Sequence, residues 1–146
     1  MLDSLDEKLI QLLAKDAQQT SKVLATQLNV NPTTVRRRLK KLIRSGVVRI
    51  ASLADPNKVG LPLITVIAFD VARHGLESAV QMLASQPEVK WVSTTTGRFD
   101  ILVMAAFRTT DELTDFVQGR LAKMEGLRDT ETIICLQVSK GRFMQL

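Results

Sequence analysis

Six cations stand within the stretch "VRRRLKKLIRSG" (Val35–Gly46): Arg36, Arg37, Arg38, Lys40, Lys41 and Arg44, with no acid among them. Residues of this kind can neutralise the phosphates of a nucleic acid; otherwise they form only the solvated face of a helix. At about 100° of turn per residue, Leu39, Leu42 and Ile43 fall with Val35 on a core face. Arg37, Lys40, Lys41 and Arg44 fall on the opposite side, as do Thr33 and Thr34 just before. Arg36 and Arg38 sit on the flanks. The N-terminal half of a recognition helix usually meets base edges, so Thr33, Thr34 and Arg37 are the expected readers. Arg can hold guanine through two hydrogen bonds, and Thr can touch a thymine methyl. Lys40, Lys41 and Arg44 are expected on phosphates, which fix position without reading sequence, and Arg36 joins the DNA contacts from its flank. Arg38, near the core edge, is expected to pair with an acid such as Asp6 or Glu7.

A helix-turn-helix would place these side chains. Ser4 and Glu7 have capping-box spacing, and Leu5, Leu9, Leu12 and Leu13 follow as an apolar stripe, which predicts a first helix over 4–16. Thr20 can cap a second helix carrying Val23, Leu24 and Leu28. Asn31 and Pro32 suit the start of a third, and Gly46 suits its end. The expected DNA-binding domain spans 1–50 and is winged-helix-like, with "VVRIASLADP" able to form a short strand or wing. Residues 51–60 are expected to form a linker strand, with Pro56 and Gly60 marking a boundary.

Beyond residue 60 the period changes. "LPLITVIAFDV", "VKWVSTTT", "FDILVMAAF" and "DTETIICLQVSK" read as strands. Leu76, Ala79, Val80 and Leu83 share one helical face, which Pro87 ends. Thr109 and Glu112 have capping-box spacing before a helix with Leu113, Phe116, Val117, Leu121 and Met124 on one side. The order β-α-β-β-α-β matches the ferredoxin-like motif. The expected class is therefore α+β: an N-terminal helix-turn-helix and a C-terminal ferredoxin-like domain over 61–146. Its first and third strands are apolar on both faces: Leu63, Ile67 and Phe69 against Ile64, Val66 and Ala68, then Ile101, Val103 and Phe107 against Leu102, Met104 and Ala106. Helices of such a domain cover one face only, so the other calls for a cover. A second copy, sheet against sheet, is the simplest one and predicts a homodimer. The alternative cover is the N-terminal helices folded back.

Charge divides the chain in the same place. Residues 1–60 hold eleven Lys/Arg against five Asp/Glu, a net +6, and residues 61–146 come to −1. A basic module beside a near-neutral one suits a polyanion partner joined to another function. No apolar run approaches the ~20 residues that span a bilayer. The acidic start "MLDSLDEK" lacks a signal-peptide pattern, and a single cysteine excludes an intrachain disulfide framework. These features favour the cytoplasm. Enzyme chemistry finds little support: His74 falls in a turn, Cys135 follows strand alternation as a small core residue, and Trp91 and Met104 read as sheet or interface residues. No metal-ligand spacing, catalytic triad or phosphate-binding glycine loop is present. No catalytic or metal site and no cofactor is expected.

The stretch "LDSLDEKLIQLLAKDAQQTSKVLATQLNVNPTTVRRRLKKLIRSGVV" resembles the N-terminal signature of Lrp/AsnC, or feast/famine, regulators. The matching features are Leu2-Asp3…Asp6, Leu12…Asp16, Leu24-Ala25, Asn31-Pro32, Arg37-Arg38, Leu42 and Gly46-Val47. "TTTGRFDILV" resembles the Gly-x-x-Asp turn of that family's amino-acid-sensing domain, and "GLRDTETIICLQVSK" its last strand. The resemblance implies a DNA-binding regulator that forms dimers, often assembled to octamers, and answers to a small molecule, typically an amino acid. It places the effector near Thr96, Gly97, Arg98, Phe99 and Asp100, with Thr130 and Thr132 as partners across an interface. A turn with free N–H groups can hold an α-carboxylate and Asp100 an α-ammonium; alternatively Gly97 only permits the hairpin and Asp100 caps it. The chain departs from the family at Ala17-Gln18 and Val23, where Gly-Arg and Glu are common. It departs again at Ile43, Arg44 and Ser45, where acids are frequent, and this makes the third helix more basic. Two other readings share the architecture: a nucleoid-type architectural DNA-binding protein without effector, and a tetrapyrrole decarboxylase-like enzyme.

Overall fold

The first helix is capped one residue before the expected Ser4. In the computed structural model, which describes residues 2–141, α1 runs Ser4–Lys15 and is capped by Asp3, whose Oδ1 accepts from the N–H groups of Leu5 and Asp6. Asp6, not Glu7, returns the bond to the Asp3 N–H, closing the capping box. Two further helices follow, α2 (Ser21–Leu28) and α3 (Pro32–Arg44). Thr20 Oγ1 caps α2 through Val23 N–H, and Asn31 Oδ1 caps α3 through Thr33 N–H, with Pro32 in the first turn. At the far end of α3, Gly46 takes φ +72°, which lets Val48 N–H reach back to Leu42 O at 3.1 Å.

These three helices enclose one core of Leu9, Leu13, Leu24, Ala25, Val35 and Leu42. It is narrower than the apolar pattern suggests. Val23 and Ile43 are about half exposed, at 46% and 44%. Two short neighbours cover only a thin stripe of each helix, so residues at the stripe's edge stay in water. The chain divides near residue 51 into two compact units, the first ending at Ala51 and the second starting at Ser52. Residues 51–60, expected to run as a linker strand, form one isolated bridge at Ala54 and a 3-10 turn over Pro56–Val59. Residues 47–53, expected as a strand or wing, have no regular structure. A strand needs a neighbour to satisfy its backbone, and no described strand of the chain pairs with these residues.

The second unit is a four-stranded antiparallel sheet in the order β2-β3-β1-β4: β1 (Leu63–Val71), β2 (Val89–Thr94), β3 (Ile101–Phe107) and β4 (Leu127–Ile134). Helix α4 (Leu76–Ala84) joins β1 to β2, and α5 (Thr110–Thr114), capped by Thr109, follows β3. Ile67, Phe69, Val71, Ile101, Val103, Ala105 and Phe107 of the sheet bury themselves against Ala79, Leu83, Leu113, Phe116, Leu121 and Met124. The Phe107 and Phe116 rings lie 5.4 Å apart. Helix α5 does not continue as a regular α-helix. It widens into a π turn over Asp115–Arg120, then a 3-10 turn over Leu121–Lys123. The wider turn suits the apolar spacing: Phe116 and Leu121 stand five apart, and both lie in the core. Cys135, expected inside the last strand, lies just past it and is half-buried, its N–H donating to Ile64 O.

Within this unit, no described helix packs on the opposite face of the sheet. Along one row, Trp91 pairs with Met104, Met104 with Val66, and Val66 with Ile133, so four apolar side chains line up across four strands. Its two ends, Trp91 and Ile133, are about half exposed.

Two ion pairs tie acid stability to this fold. Hydrogen bonding from Asp6 N–H, then Arg38, holds the Asp3 carboxyl below its ordinary 3.8. Burial pushes Glu88 up, but the bidentate Arg120 pair and its companions outweigh it, leaving a net fall below 4.5. A carboxyl depressed in the folded state stabilises fully above its unfolded pKa, and the contribution disappears as pH falls through the folded one. Denaturation midpoints are therefore expected to stay level, as far as these two groups decide, above about pH 5 and to fall below about pH 4. A midpoint unchanged down to pH 3 would contradict both pairings.

Candidate nucleic-acid interface and effector turn

Helix α3 sorts its side chains as its period requires. Val35 and Leu42 are buried, Leu39 is partly so, and Thr33, Arg36, Arg37, Lys40, Lys41 and Arg44 are exposed, with Thr34 half-buried. Arg37, Lys40, Lys41, Arg44 and Ser45 border one shallow concavity. Arg36 turns its Nε back to the Pro32 carbonyl at 3.4 Å. Four cations with no acid between them make this face self-repelling unless a polyanion neutralises it. Lys22 of α2 was not singled out by the sequence reading. It is exposed and borders a second concavity with Thr26, Asn29, Asn31 and Pro32, beside the start of α3. The legible signal was a lone cation on a helix without acids.

Arg38 behaves differently from its neighbours. Its Nη1 donates to Asp3 Oδ2 at 2.6 Å and to Asp6 Oδ1 at 2.8 Å. Asp6, only 4% exposed, is one of the few buried charged groups.

At the other unit, β2 and β3 are joined through residues 95–100. Thr95 N–H donates to Asp100 O at 2.8 Å and Thr95 Oγ1 to Phe99 O at 2.7 Å. Gly97 stands at φ +113°, a conformation that L side chains rarely adopt. Thr96, Gly97 and Arg98 are exposed, and Phe99 and Asp100 half-buried. The Arg98 guanidinium lies 4.8 Å from the Phe99 ring centre and reaches Glu131 and Asp129 only at 3.8 and 3.9 Å. Asp100 is engaged in the fold: its Oδ2 accepts from Val71 N–H at 2.9 Å, and its N–H donates to Phe69 O. Arg128, a residue the sequence reading passed over, bonds Asp70 at 2.9 Å and the Val71 carbonyl at 3.0 Å and stands 4.0 Å from Asp100. Thr130 is paired with Phe69 across β1 and β4, so Asp100 and Thr130 flank the same residue from opposite sides. The Thr130 hydroxyl is buried without a partner, whereas Thr132, paired with Ile67, is exposed. The predicted effector residues thus gather at one end of the sheet. Among the described residues, no group of three or more His, Cys, Asp and Glu is placed to hold a metal, and no helix is long and apolar enough to cross a membrane.

Comparison with known proteins bears on both units. A winged helix-turn-helix DNA-binding profile matches residues 2–49, and a profile of the Lrp/AsnC ligand binding domain matches residues 65–144. The chain is 36% identical over 146 residues to an HTH-type transcriptional regulator of Pyrococcus abyssi, covering 99% of this chain and 92% of the relative. A regulator of the same type from Pyrococcus furiosus is 35% identical, covering 100% and 99%. Among solved structures, a transcriptional regulator from Neisseria meningitidis in complex with L-Met superposes with a TM-score of 0.88 at 28% identity, over 97% of this chain and 94% of that one. E. coli AsnC superposes with a TM-score of 0.86 at 26% identity, over 95% of each chain.

Proposed function

The chain belongs to the Lrp/AsnC family of transcriptional regulators, and from that premise we propose that it reads specific duplex DNA sites under the control of an amino acid bound at its C-terminal unit. The observation that carries the DNA part is the acid-free outer face of α3. Thr33, Thr34 and Arg37 are its base readers, and Arg36, Lys40, Lys41 and Arg44 its phosphate partners. The effector part rests on the turn Thr96–Asp100, with Thr130 and Thr132 nearby, and on the L-Met bound by a structural relative. The unpartnered Thr130 hydroxyl is the polar group most in need of a ligand there. Asp100 serves the sheet through one oxygen and offers the other. The protein is a regulator rather than an enzyme, and it works in the cytoplasm.

The working unit is a homodimer closed through the helix-free sheet face, able to assemble further. The row Trp91–Met104–Val66–Ile133 supports this, since a contiguous apolar stripe in water is costly. Val66→Asp is expected to convert the dimer to monomer in sedimentation at micromolar concentration, because it places an unpaired charge in the middle of a desolvated surface. A variant as dimeric as the parent would remove this face from the interface. The effector reading is tested by titrating the twenty amino acids against thermal unfolding. A true effector at a hundred times its Kd stabilises by about 2.7 kcal/mol. No shift with any of them would favour an architectural DNA-binding protein, in which Asp100 is a sheet staple and nothing more.

A further inference from the structure

The four carboxylate oxygens of Asp3 and Asp6 are all engaged, and they are divided evenly. Asp3 Oδ1 and Asp6 Oδ2 close the capping box of α1, while Asp3 Oδ2 and Asp6 Oδ1 both receive Arg38 Nη1. The cap of the first helix and the anchor of the third are therefore one structure. Arg38 belongs to the core-edge side of α3, immediately after Arg37. It is mostly covered, with its side chain 22% exposed, and its Nε is buried with no partner. A guanidinium placed to neutralise phosphate would keep its donors in water. This one gives Nη1 to both α1 carboxylates and leaves its buried Nε unsatisfied, so its position is set by the clamp.

We infer that Arg38 is a positioning residue for DNA readout: through Asp3 and Asp6 it fixes the rotation of α3 about its own axis, and thereby where Thr33, Thr34 and Arg37 meet the base edges, without touching DNA. The physical basis is the geometry of base readout. A two-bond contact from Arg to guanine tolerates little displacement, whereas phosphate contacts by long flexible cations adapt. Loosening the clamp consequently costs base discrimination and spares the electrostatic part of binding. Lysine is a poor replacement for Arg38, because its shorter side chain must bring one ammonium to the point where Nη1 meets both carboxylates.

This rests on the reading of Arg37 as a base reader, and the experiment separates the two. Base preference is read by selecting bound sequences from a random duplex pool, and the salt dependence of binding is measured on one selected duplex. Arg38→Gln is expected to reduce discrimination against single-base changes about tenfold, the value of one misplaced base contact, with an unchanged salt slope and unchanged helix content. Asp3→Asn retains a capping side chain and removes only the charge that Arg38 holds, so it is expected to shift preference in the same direction by less. If Arg38→Gln fails to fold, Asp3→Asn alone decides. A salt slope smaller by about one ion per subunit in Arg38→Gln, with intact preference, would place Arg38 on a phosphate and overturn the inference. Preference unchanged in every folded variant of the pair would overturn it too. Arg37→Ala is the control: if it leaves preference untouched while Arg38→Gln broadens it, the clamp stands and the assignment of Arg37 falls.

Discussion

A protein carrying Lys40→Ala, Lys41→Ala and Arg44→Ala together is expected to lose nearly all measurable DNA binding at physiological salt. Each phosphate contact contributes about 0.9 to the salt slope of log K, so three lost contacts remove close to three ions per subunit. At ionic strengths near 0.1 M that amounts to several hundred-fold in affinity for each subunit engaged. The loss should be nearly uniform across sequences, because these residues face outward on the C-terminal half of α3 and phosphate contacts carry no base information. The core of the unit is untouched: Leu9, Leu24, Val35 and Leu42 lie on the other side of the helices. Stability should hold or rise slightly as the self-repulsion of the face is relieved. The measurement is a salt series on parent and variant with one duplex. Equal slopes would show that these cations are the ordinary solvated face they could also be.

Phe107→Ala should be among the most damaging single substitutions in the C-terminal unit. Phe107 is fully buried at the end of β3, and its ring meets that of Phe116 from the wide turn after α5. Truncating a buried phenylalanine costs about 3–5 kcal/mol through lost transfer energy and the cavity left behind. Domains of this size hold only about 5–15 kcal/mol in total. The unit should therefore unfold at a much lower urea concentration, with an unchanged dependence on denaturant. A loss below about 1 kcal/mol would mean that the helices collapse into the space and that this end of the core is loosely packed.

Periodicity made the architecture legible, and partners decided the rest. Val35 and Leu42 declare the inner side of α3 by spacing alone, but Ile43 does not declare its exposure, which depends on how far α1 and α2 reach along the helix. Ser4 and Asp3 are both good caps by residue type. The choice falls to Asp3 because its second oxygen meets Arg38, thirty-five residues away. The pairing of Arg38 with Asp6 was foreseeable, since a cation at a core edge needs an acid. The linker over 51–60 was expected as a strand, yet Pro56 starts a 3-10 turn there and pairing is confined to a single bridge at Ala54. At the turn over 95–100, Gly97 was visible as a residue suited to positive φ. The engagement of Asp100 with Val71 N–H, and the arrival of Arg128 beside it, follow from sheet order and register, which no local pattern encodes.

The π turn over Asp115–Arg120 has a consequence for how related chains are compared. A helical segment that widens by one residue and then tightens into a 3-10 turn can gain or lose that residue with little rotation of the side chains on either side of it. Phe116 and Leu121 stay in the core whether four or five steps separate them, provided the turn adjusts. Length differences among relatives can thus be absorbed in the middle of a helical segment, where an alignment that confines gaps to loops would misplace every residue up to the next strand. Gly119 lies within this turn, and a Cβ added there would meet nothing within 4 Å.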